Sequence, residues 1–382
     1  MNRRQRLVAT LKGETVDRPP VSFYEINGLD ESPDPCDSFN IYTHPSWAPL
    51  IALAREKSDR IVMRGASLRS PAWSSPTYTP ADASTITTTL TSAGSRITRL
   101  EVRIGRRTLT STTRRDPDVN TTWQVEHLLK NSEDVKAYLD LPQPIFAGNL
   151  NIDGVLTAEA ALGDSGIVMI DTPDPLCQAA SLFDLGTYTV IAATEPDLFH
   201  QLLDWFAEFL TTQTEAMAQA LPGRLWRIYG PEYASPPYLH PRLFREYVTA
   251  YDTPLVSAIQ RHGGFARIHS HGRLRAILAD IAATGCLGLD PIEPPPQGDI
   301  ELIDVRRLYG QQMVLFGNLE ASDLENLPTP EFEQKIRKAL LEGTAGHGRG
   351  FVLLPSSCPY GRVLSPLALA NYQKMIEVVE QF

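Results

Sequence analysis

The sequence contains little cysteine and no long apolar run. Its four cysteines (Cys36, Cys177, Cys286 and Cys358) are scattered along 382 residues without a Cys-x-x-Cys pair. This usage excludes a disulfide framework and favours a reducing, cytoplasmic location. No apolar segment approaches the ~20 residues that a membrane span requires, so we expect no membrane association. We expect the basic start, residues 1–6, to open a helix rather than a signal peptide, because no apolar segment follows it.

Positive charge is also scarce. The chain has 35 Lys and Arg residues against 45 Asp and Glu residues, which gives a net charge of −10. This balance argues against nucleic acid as a partner, although a local arginine could still hold an anionic small molecule. No dinucleotide-binding glycine motif follows an apolar run, which disfavours a Rossmann sheet. The glycine-rich segment 343–350 precedes its predicted strand, so we do not interpret it as a phosphate loop.

From about residue 140, short apolar runs alternate with amphipathic segments, a pattern typical of parallel strands joined by helices. We predict one (β/α)₈ TIM barrel over residues 1–382. Its amino-terminal part should contain a helix at residues 2–12, capped by Asn2 and ended by Gly13, and then a short strand at residues 21–24. The later strands are predicted at residues 166–170, 226–229, 265–268, 286–289, 313–316 and 351–354.

Residues 65–125 differ from this pattern because they are dense in serine and threonine. The β-branched run at residues 86–91, a turn near Gly94 and the alternating run at residues 100–104 indicate an antiparallel hairpin. The segment is too short and too polar to bury a core of its own. We therefore predict a β-hairpin-rich insertion in the barrel rather than a second domain.

Two histidines and one cysteine follow predicted strands. His269 and His271 end or follow the strand at 265–268, and Cys358 follows the strand at 351–354. Active sites of these barrels lie at the carboxyl ends of the strands, so the three side chains should share one mouth. Imidazole nitrogen and thiolate sulfur are the usual ligands of zinc, and three protein ligands leave a position open for chemistry. The alternative is a polar rim that binds substrate without metal.

Glu232 and Glu293 also follow predicted strands. Either could be a fourth metal ligand or a general base, or a loop carboxylate that is solvated or paired with arginine. Cys286 begins a strand and is expected in the core. Cys36 and Cys177 show no partners, and the other histidines show no pattern that singles them out.

Several segments resemble the uroporphyrinogen decarboxylase superfamily. They occur in the family's order over nearly the whole chain, and the resemblance implies a (β/α)₈ barrel. The segments are Leu11-Lys12-Gly13-Glu14, Asp17-Arg18-Pro19-Pro20-Val21, His269-Ser270-His271-Gly272, residues 285–290, Gly298-Asp299, Phe316-Gly317-Asn318-Leu319, the Cys358 loop and Pro366.

The resemblance is closer to the zinc-dependent, corrinoid-linked methyltransferases of this superfamily than to its true decarboxylases. The decarboxylases carry an arginine-rich segment where this chain has residues 24–29, and Glu25 there would repel a polycarboxylate. The methyltransferases use a His-x-Cys pair and a late cysteine, which this chain matches at His269 and Cys358. It departs at His271, which is still a competent zinc ligand, but a site with one thiolate leaves the methyl acceptor in question.

Three functions therefore remain open at this point. The first is a zinc-dependent methyltransferase that moves a methyl group between a small substrate and a corrinoid protein. The second is a metal-free decarboxylase or other lyase that acts on a small or aromatic acid. The third is a non-catalytic binder of a tetrapyrrole. The resemblance also suggests a homodimer.

Overall fold

The computed structural model describes residues 1–32, 37–65, 67–68, 73–74, 77–148 and 150–382. Cys36 and parts of the predicted insertion therefore lie outside the described residues. The strands are β1 (Arg60–Gly65), β2 (Ser67–Leu68), β3 (Trp73–Ser74), β4 (Thr79–Pro80), β5 (Ser84–Leu90), β6 (Arg96–Ile104), β7 (Arg107–Arg115), β8 (Thr122–Glu126), β9 (Leu150–Asn151), β10 (Gly166–Pro173), β11 (Leu225–Tyr229), β12 (Phe265–Ser270), β13 (Gly288–Pro291), β14 (Val314–Leu319) and β15 (Phe351–Pro355).

In the second half of the chain, helices alternate with the strands of the parallel sheet. The helices of the whole chain are α1 (Arg3–Lys12), α2 (Ala48–Lys57), α3 (Ser132–Leu139), α4 (Asp153–Leu162), α5 (Pro175–Ala180), α6 (Leu185–Thr194), α7 (Pro196–Ala220), α8 (Pro241–Phe244), α9 (Ala250–Arg261), α10 (Leu278–Ala283), α11 (Leu302–Tyr309), α12 (Ala321–Asn326), α13 (Thr329–Gly343) and α14 (Pro366–Gln381). Within the described residues, no helix combines the length and the apolar character needed to cross a membrane.

The core of the fold is a curled parallel sheet in the order β1-β10-β11-β12-β13-β14-β15. Its two edges are bridged by the segment before α2. Val21 pairs in parallel with Leu353 of β15, and its carbonyl accepts a 2.7 Å hydrogen bond from the backbone N–H of Asp59, the residue before β1. The prediction of a TIM-barrel-like fold is confirmed.

The predicted strand at residues 21–24 was too long. It is reduced to the single bridge at Val21 because Tyr24 adopts a φ of 58°, which ends the extended path. By contrast, α1 begins and ends as expected. Asn2 and Gln5 form a reciprocal capping box, and Gly13 closes the helix in the left-handed conformation at φ 74°.

The barrel strands are buried on both faces, which explains their nearly continuous apolar sequences. Residues 166–170 of β10 and 351–355 of β15 are all buried, and the helices cover the outside of the sheet. The glycine-rich segment 343–350 lies at the amino-terminal end of β15. There Arg349 donates to the carbonyl of Leu11 in α1. The segment therefore lies at the amino-terminal end of the barrel, opposite the mouth formed by the carboxyl ends of the strands, as its position before the strand predicted.

The described part of the insertion is an antiparallel sheet in the order β5-β6-β7-β8. The predicted hairpin is present, because β5 pairs with β6 from Ser84 to Leu90. Alternation along β6 and β7 buries Leu100, Val102 and Leu109 in the same apolar cluster as the barrel helices. The sheet is therefore attached to the barrel through a shared core.

Candidate active site

The predicted site residues follow four strands at the carboxyl end of the barrel. Glu232 follows β11, His269 lies in β12 and His271 directly follows it. Glu293 follows β13, and Cys358 follows β15. The carboxyl ends of parallel strands lie at the same end of a barrel, so all five residues belong to the same mouth.

His269 is oriented by a buried carboxylate. Its Nδ1 lies 2.8 Å from Oδ2 of Asp290, and both side chains are buried. Burial opposes ionisation of Asp290, but the charges of Arg267 and His269 outweigh it and lower its pKa to about 2. An ionised carboxylate only accepts hydrogen bonds, so Nδ1 of His269 donates to it, and in the neutral ring the lone pair is then on Nε2.

Asp290 is itself held by Arg267. The Nε of Arg267 lies 2.8 Å from Oδ1 of Asp290, close enough for an ion pair although not aligned as a hydrogen bond. The three side chains form a buried chain in which Asp290 contacts both Arg267 and the imidazole of His269. Asp290 was not among the residues predicted from the sequence, although its position at the end of an apolar strand was a usable signal.

His271 has the same arrangement with a different carboxylate. Its Nδ1 lies 2.7 Å from Oε1 of Glu293, and the backbone N–H of Gly272 donates to Oε2 over 2.6 Å. Burial disfavours the charged imidazole, but the hydrogen bond and the charge of Glu293 outweigh it, so the pKa of His271 is raised. Burial acts to raise the pKa of Glu293, but the hydrogen bond and the charge of His271 outweigh it, so that pKa is lowered. The structure thus gives Glu293 an orienting role.

The two histidines stand together at the mouth. Their rings are nearly perpendicular, at 87°, with centroids 4.6 Å apart. In the described part of the chain, neither Nε2 has a hydrogen-bond partner. Metal-binding histidines usually donate one ring N–H to a carboxylate and bind the metal through the other ring nitrogen. The pair therefore has suitable chemistry for a metal ion.

Cys358 is placed differently. Its Sγ donates to Oε2 of Glu25 over 3.2 Å, and the side chain is buried. Burial, and then the charge of Glu25, raise the pKa of the thiol well above its ordinary value. Cys358 is therefore a protonated thiol here, whereas a metal ligand must be a thiolate. Glu25 adjoins Tyr24, whose ring stacks on His269 with centroids 6.2 Å apart.

Within the described ranges, no group of three or more His, Cys, Asp or Glu side chains is arranged to hold a metal ion. The structure brings His269 and His271 together but pairs Cys358 with Glu25. The two imidazoles fit a metal by donor chemistry and orientation. The thiol would have to give up its hydrogen bond and its proton to join them.

Glu232 lies apart from the Glu293 pair. It sits in the short 3-10 turn Pro231–Ala234, where Oε2 accepts a 3.1 Å hydrogen bond from the backbone of Gly230. Its charge acts on the buried carboxyls of Asp174 and Asp252 and also on His271. The two predicted catalytic glutamates therefore occupy different surroundings.

Glu320 is a further acidic residue at the mouth that the sequence reasoning missed. It follows β14 directly, is 7% exposed, and its Oε1 has no hydrogen-bond partner. Burial, and then the charges of Glu293 and Asp323, raise its pKa to about 7. Its position one residue after a predicted barrel strand was the signal that could have identified it.

Comparison with known proteins agrees with this architecture. The sequence model of the family described as uroporphyrinogen decarboxylase (URO-D) matches residues 174–382, more than half of the chain. The chain belongs to the URO-D family. No curated protein matches it at a significant level. The matched URO-D region contains both histidines, Glu232, Glu293, Glu320 and Cys358, whereas Glu25 and the insertion precede it.

Solved structures show how far this URO-D fold extends. A methyltransferase from Methanosarcina mazei is similar over 100% of this chain and 99% of its own, with a TM-score of 0.62 and 17% identity. A D-psicose 3-epimerase crystallised in the presence of D-fructose covers 61% of this chain and 93% of its own, with 9% identity and a TM-score of 0.32, too low to support an argument. The similarity to the Methanosarcina mazei methyltransferase shows a common fold along the whole chain.

Proposed function

We propose that this URO-D family protein is a zinc-dependent methyltransferase that moves a methyl group between a small substrate and a corrinoid protein. The observation that carries the proposal is the histidine pair. His269 and His271 each have Nδ1 fixed by a carboxylate and Nε2 free, at the mouth of the barrel. The full-length fold similarity to a methyltransferase supports the same class of reaction.

In this proposal zinc is bound by Nε2 of His269 and of His271, with Cys358 as the third ligand. Bound zinc would act as a Lewis acid on the heteroatom that gives up or accepts the methyl group. Asp290 and Glu293 accept from Nδ1 of the two imidazoles, so Nε2 is the nitrogen that would bind the metal once the rings are neutral. Glu25 holds the proton of Cys358 when no metal is present.

Glu320 is suited to supply the proton that accompanies methyl transfer. A heteroatom that loses a methyl cation keeps the bonding electron pair, so it becomes more basic and takes up a proton. A carboxyl group with a pKa of about 7 is protonated in part of the population at neutral pH and can supply that proton. The charges of Glu293 and His271 act on Glu320, which places it near the histidine pair.

The metal-free decarboxylase or lyase that acts on a small or aromatic acid stays the alternative, but the charges at the mouth disfavour a polycarboxylate as its substrate. The two buried arginines of the mouth are already occupied: Arg267 faces Asp290, and Arg227 forms an ion pair with Asp171 and a hydrogen bond to the hydroxyl of Tyr24. Glu25 adds negative charge where a cation would be needed. A substrate rich in carboxylates would meet repulsion rather than complementary charge.

The test is metal content by mass spectrometry on the purified, untagged protein, beside methyl transfer to a corrinoid protein. We expect about one zinc per chain in the wild type, and loss of zinc and of transfer in His269→Ala and His271→Ala. Cys358→Ser shows whether the thiol is a ligand. The matched control is His262→Ala, which removes a histidine bound to Glu215 near the opposite end of β12.

Two results would contradict the proposal. If the wild type binds no zinc even when zinc is supplied, the metal mechanism is wrong and the metal-free lyase has to be tested. If zinc binds but no methyl group moves, while a tetrapyrrole binds without turnover, the protein is a binder rather than an enzyme.

A further inference from the structure

A cavity of about 570 Å³ lies between the inserted sheet and the barrel. Gln124 of β8 and His127 form the wall on the insertion side. The opposite wall comes from the segments after β10 and β11, and Glu232 contributes the acidic side chain. The volume is in the range of small-molecule sites, which run from ~300 to ~1,000 Å³.

The barrel wall of this cavity is aromatic. Tyr188 is buried and donates to the carbonyl of Tyr233 over 2.9 Å, and the two rings meet at 83° with centroids 6.1 Å apart. Phe183 is also buried, whereas Tyr233 is partly accessible and Tyr238 is exposed. The accessible aromatic surface of the cavity therefore comes from Tyr233 and Tyr238, and buried Tyr188 supports the backbone of Tyr233 through its hydrogen bond.

The polar side of the cavity is negative and lacks a cation. The carboxylate of Glu232 forms no ion pair within the described residues, where its hydrogen bond comes from the backbone of Gly230. Burial, and then neighbouring charge that includes Glu232, raise the pKa values of the fully buried Asp174 and Asp252 well above their ordinary range, so both acids are protonated and Glu232 carries the negative charge. Oδ2 of Asp174 and both carboxyl oxygens of Asp252 have no hydrogen-bond partner. His127 adds no positive charge at neutral pH, because burial lowers its pKa.

We propose that this cavity binds a small organic cation, a substituted ammonium whose apolar groups contact the tyrosines and whose charge is paired with Glu232. Aromatic faces attract such cations through the negative potential of their rings, and they also accommodate the alkyl substituents. The carboxylate of Glu232, which forms no ion pair within the described residues, adds a second attraction of the same sign. Anionic ligands would be repelled by the same groups.

The cavity is also connected to the histidine pair. Glu232 lines the cavity and follows β11, the strand that pairs with β12, whose end carries His269 and His271. If the proposed methyl transfer is correct, on which this step rests, the methyl donor or acceptor is an alkylated amine. The binding proposal itself does not depend on that step.

The experiment measures binding of choline by isothermal titration calorimetry, at constant ionic strength and without corrinoid. The comparison ligand is the uncharged analogue in which carbon replaces the choline nitrogen, because it has the same shape. We expect choline to bind at least ten times more tightly than this analogue. Glu232→Gln should weaken choline binding at least tenfold, and Tyr238→Leu should weaken it several-fold.

The control is Glu208→Gln, which removes the same charge from the exposed side of α7 and should leave binding unchanged. Circular dichroism verifies that each variant is folded, and Tyr238 at the rim gives a variant that disturbs the core least. Equal binding of choline and its analogue, unchanged binding in Glu232→Gln, or no choline binding at millimolar concentration would overturn the proposal. Because binding is measured without methyl transfer, its failure is distinguishable from failure of the proposed function.

Discussion

Replacement of Asp290 by asparagine tests the central feature of the site. The substitution keeps the size of the side chain but removes the charge that lies between Arg267 and His269. Arg267 would remain buried without the charge of Asp290, and Nδ1 of His269 would face an amide that can donate as well as accept, so its tautomer would no longer be fixed. We therefore expect two separate consequences, one for stability and one for metal binding.

The size of the stability change can be worked out in two ways. The pKa of Asp290 is lowered from 3.8 to about 2. At about 1.36 kcal/mol per pKa unit, the ionised carboxylate contributes about 2.5 kcal/mol to the free energy of unfolding. This contribution is complete above the unfolded pKa of 3.8 and is lost as the pH falls through about 2. Removal of one partner from a buried ion pair typically costs ~3–5 kcal/mol, so both routes give a few kcal/mol.

The assay is urea unfolding at pH 7, followed by tryptophan fluorescence. Asp304→Asn is the matched control, because Asp304 pairs with Arg307 on the surface, where an ion pair contributes ~1 kcal/mol or less. In the same samples we expect zinc affinity to fall ~10–100-fold in Asp290→Asn, as for other groups that orient metal ligands. A stability change under about 0.5 kcal/mol, the usual range for surface substitutions, would refute the reasoning.

Two other substitutions address the acidic groups of the mouth. Glu320→Gln should flatten the dependence of methyl transfer on pH near 7. The raised pKa of Glu320 means that its contribution to stability is present below pH 4.5 and is lost as the pH rises to about 7. Glu320→Gln should therefore stabilise the protein at pH 8 but not at pH 4, and equal urea midpoints at pH 8 would contradict this. Glu25→Gln should lower the pKa of Cys358 and speed its alkylation by iodoacetamide at pH 9, as measured by peptide mass spectrometry; an unchanged rate would show that Glu25 does not control the thiol.

The barrel and the histidine pair could be predicted because both depend on local sequence. Buried parallel strands give continuous apolar runs, and the active-site rule for barrels identifies the residues that follow them. His269 and His271 are two residues apart, so a single strand end places both. The hairpin of the insertion was also predictable, because its alternating pattern is set by neighbouring residues.

The partners of these residues could not be predicted, because they come from distant parts of the chain. Glu25 and Cys358 are separated by 333 positions, and only the closed barrel brings them together. The hydrogen bond between Glu293 and His271 could not be predicted either, because it joins the ends of two different strands. Glu320 has an ordinary sequence position, and its raised pKa arises from burial and neighbouring charges that appear only in the fold.

The division of these residues along the chain suggests how the protein could vary in evolution or by design. The histidines and their carboxylates lie in the URO-D region, residues 174–382, on strand ends that are fixed by the barrel. One wall of the aromatic cavity, with Gln124 and His127, precedes that region. Part of the cavity wall would therefore lie outside the segment that carries the histidine pair, whereas Glu232 and the tyrosines lie within it. Substitutions at Gln124 or His127 should change which organic cation binds while leaving the geometry of the histidine pair intact, because neither side chain takes part in the hydrogen bonds that orient His269 and His271.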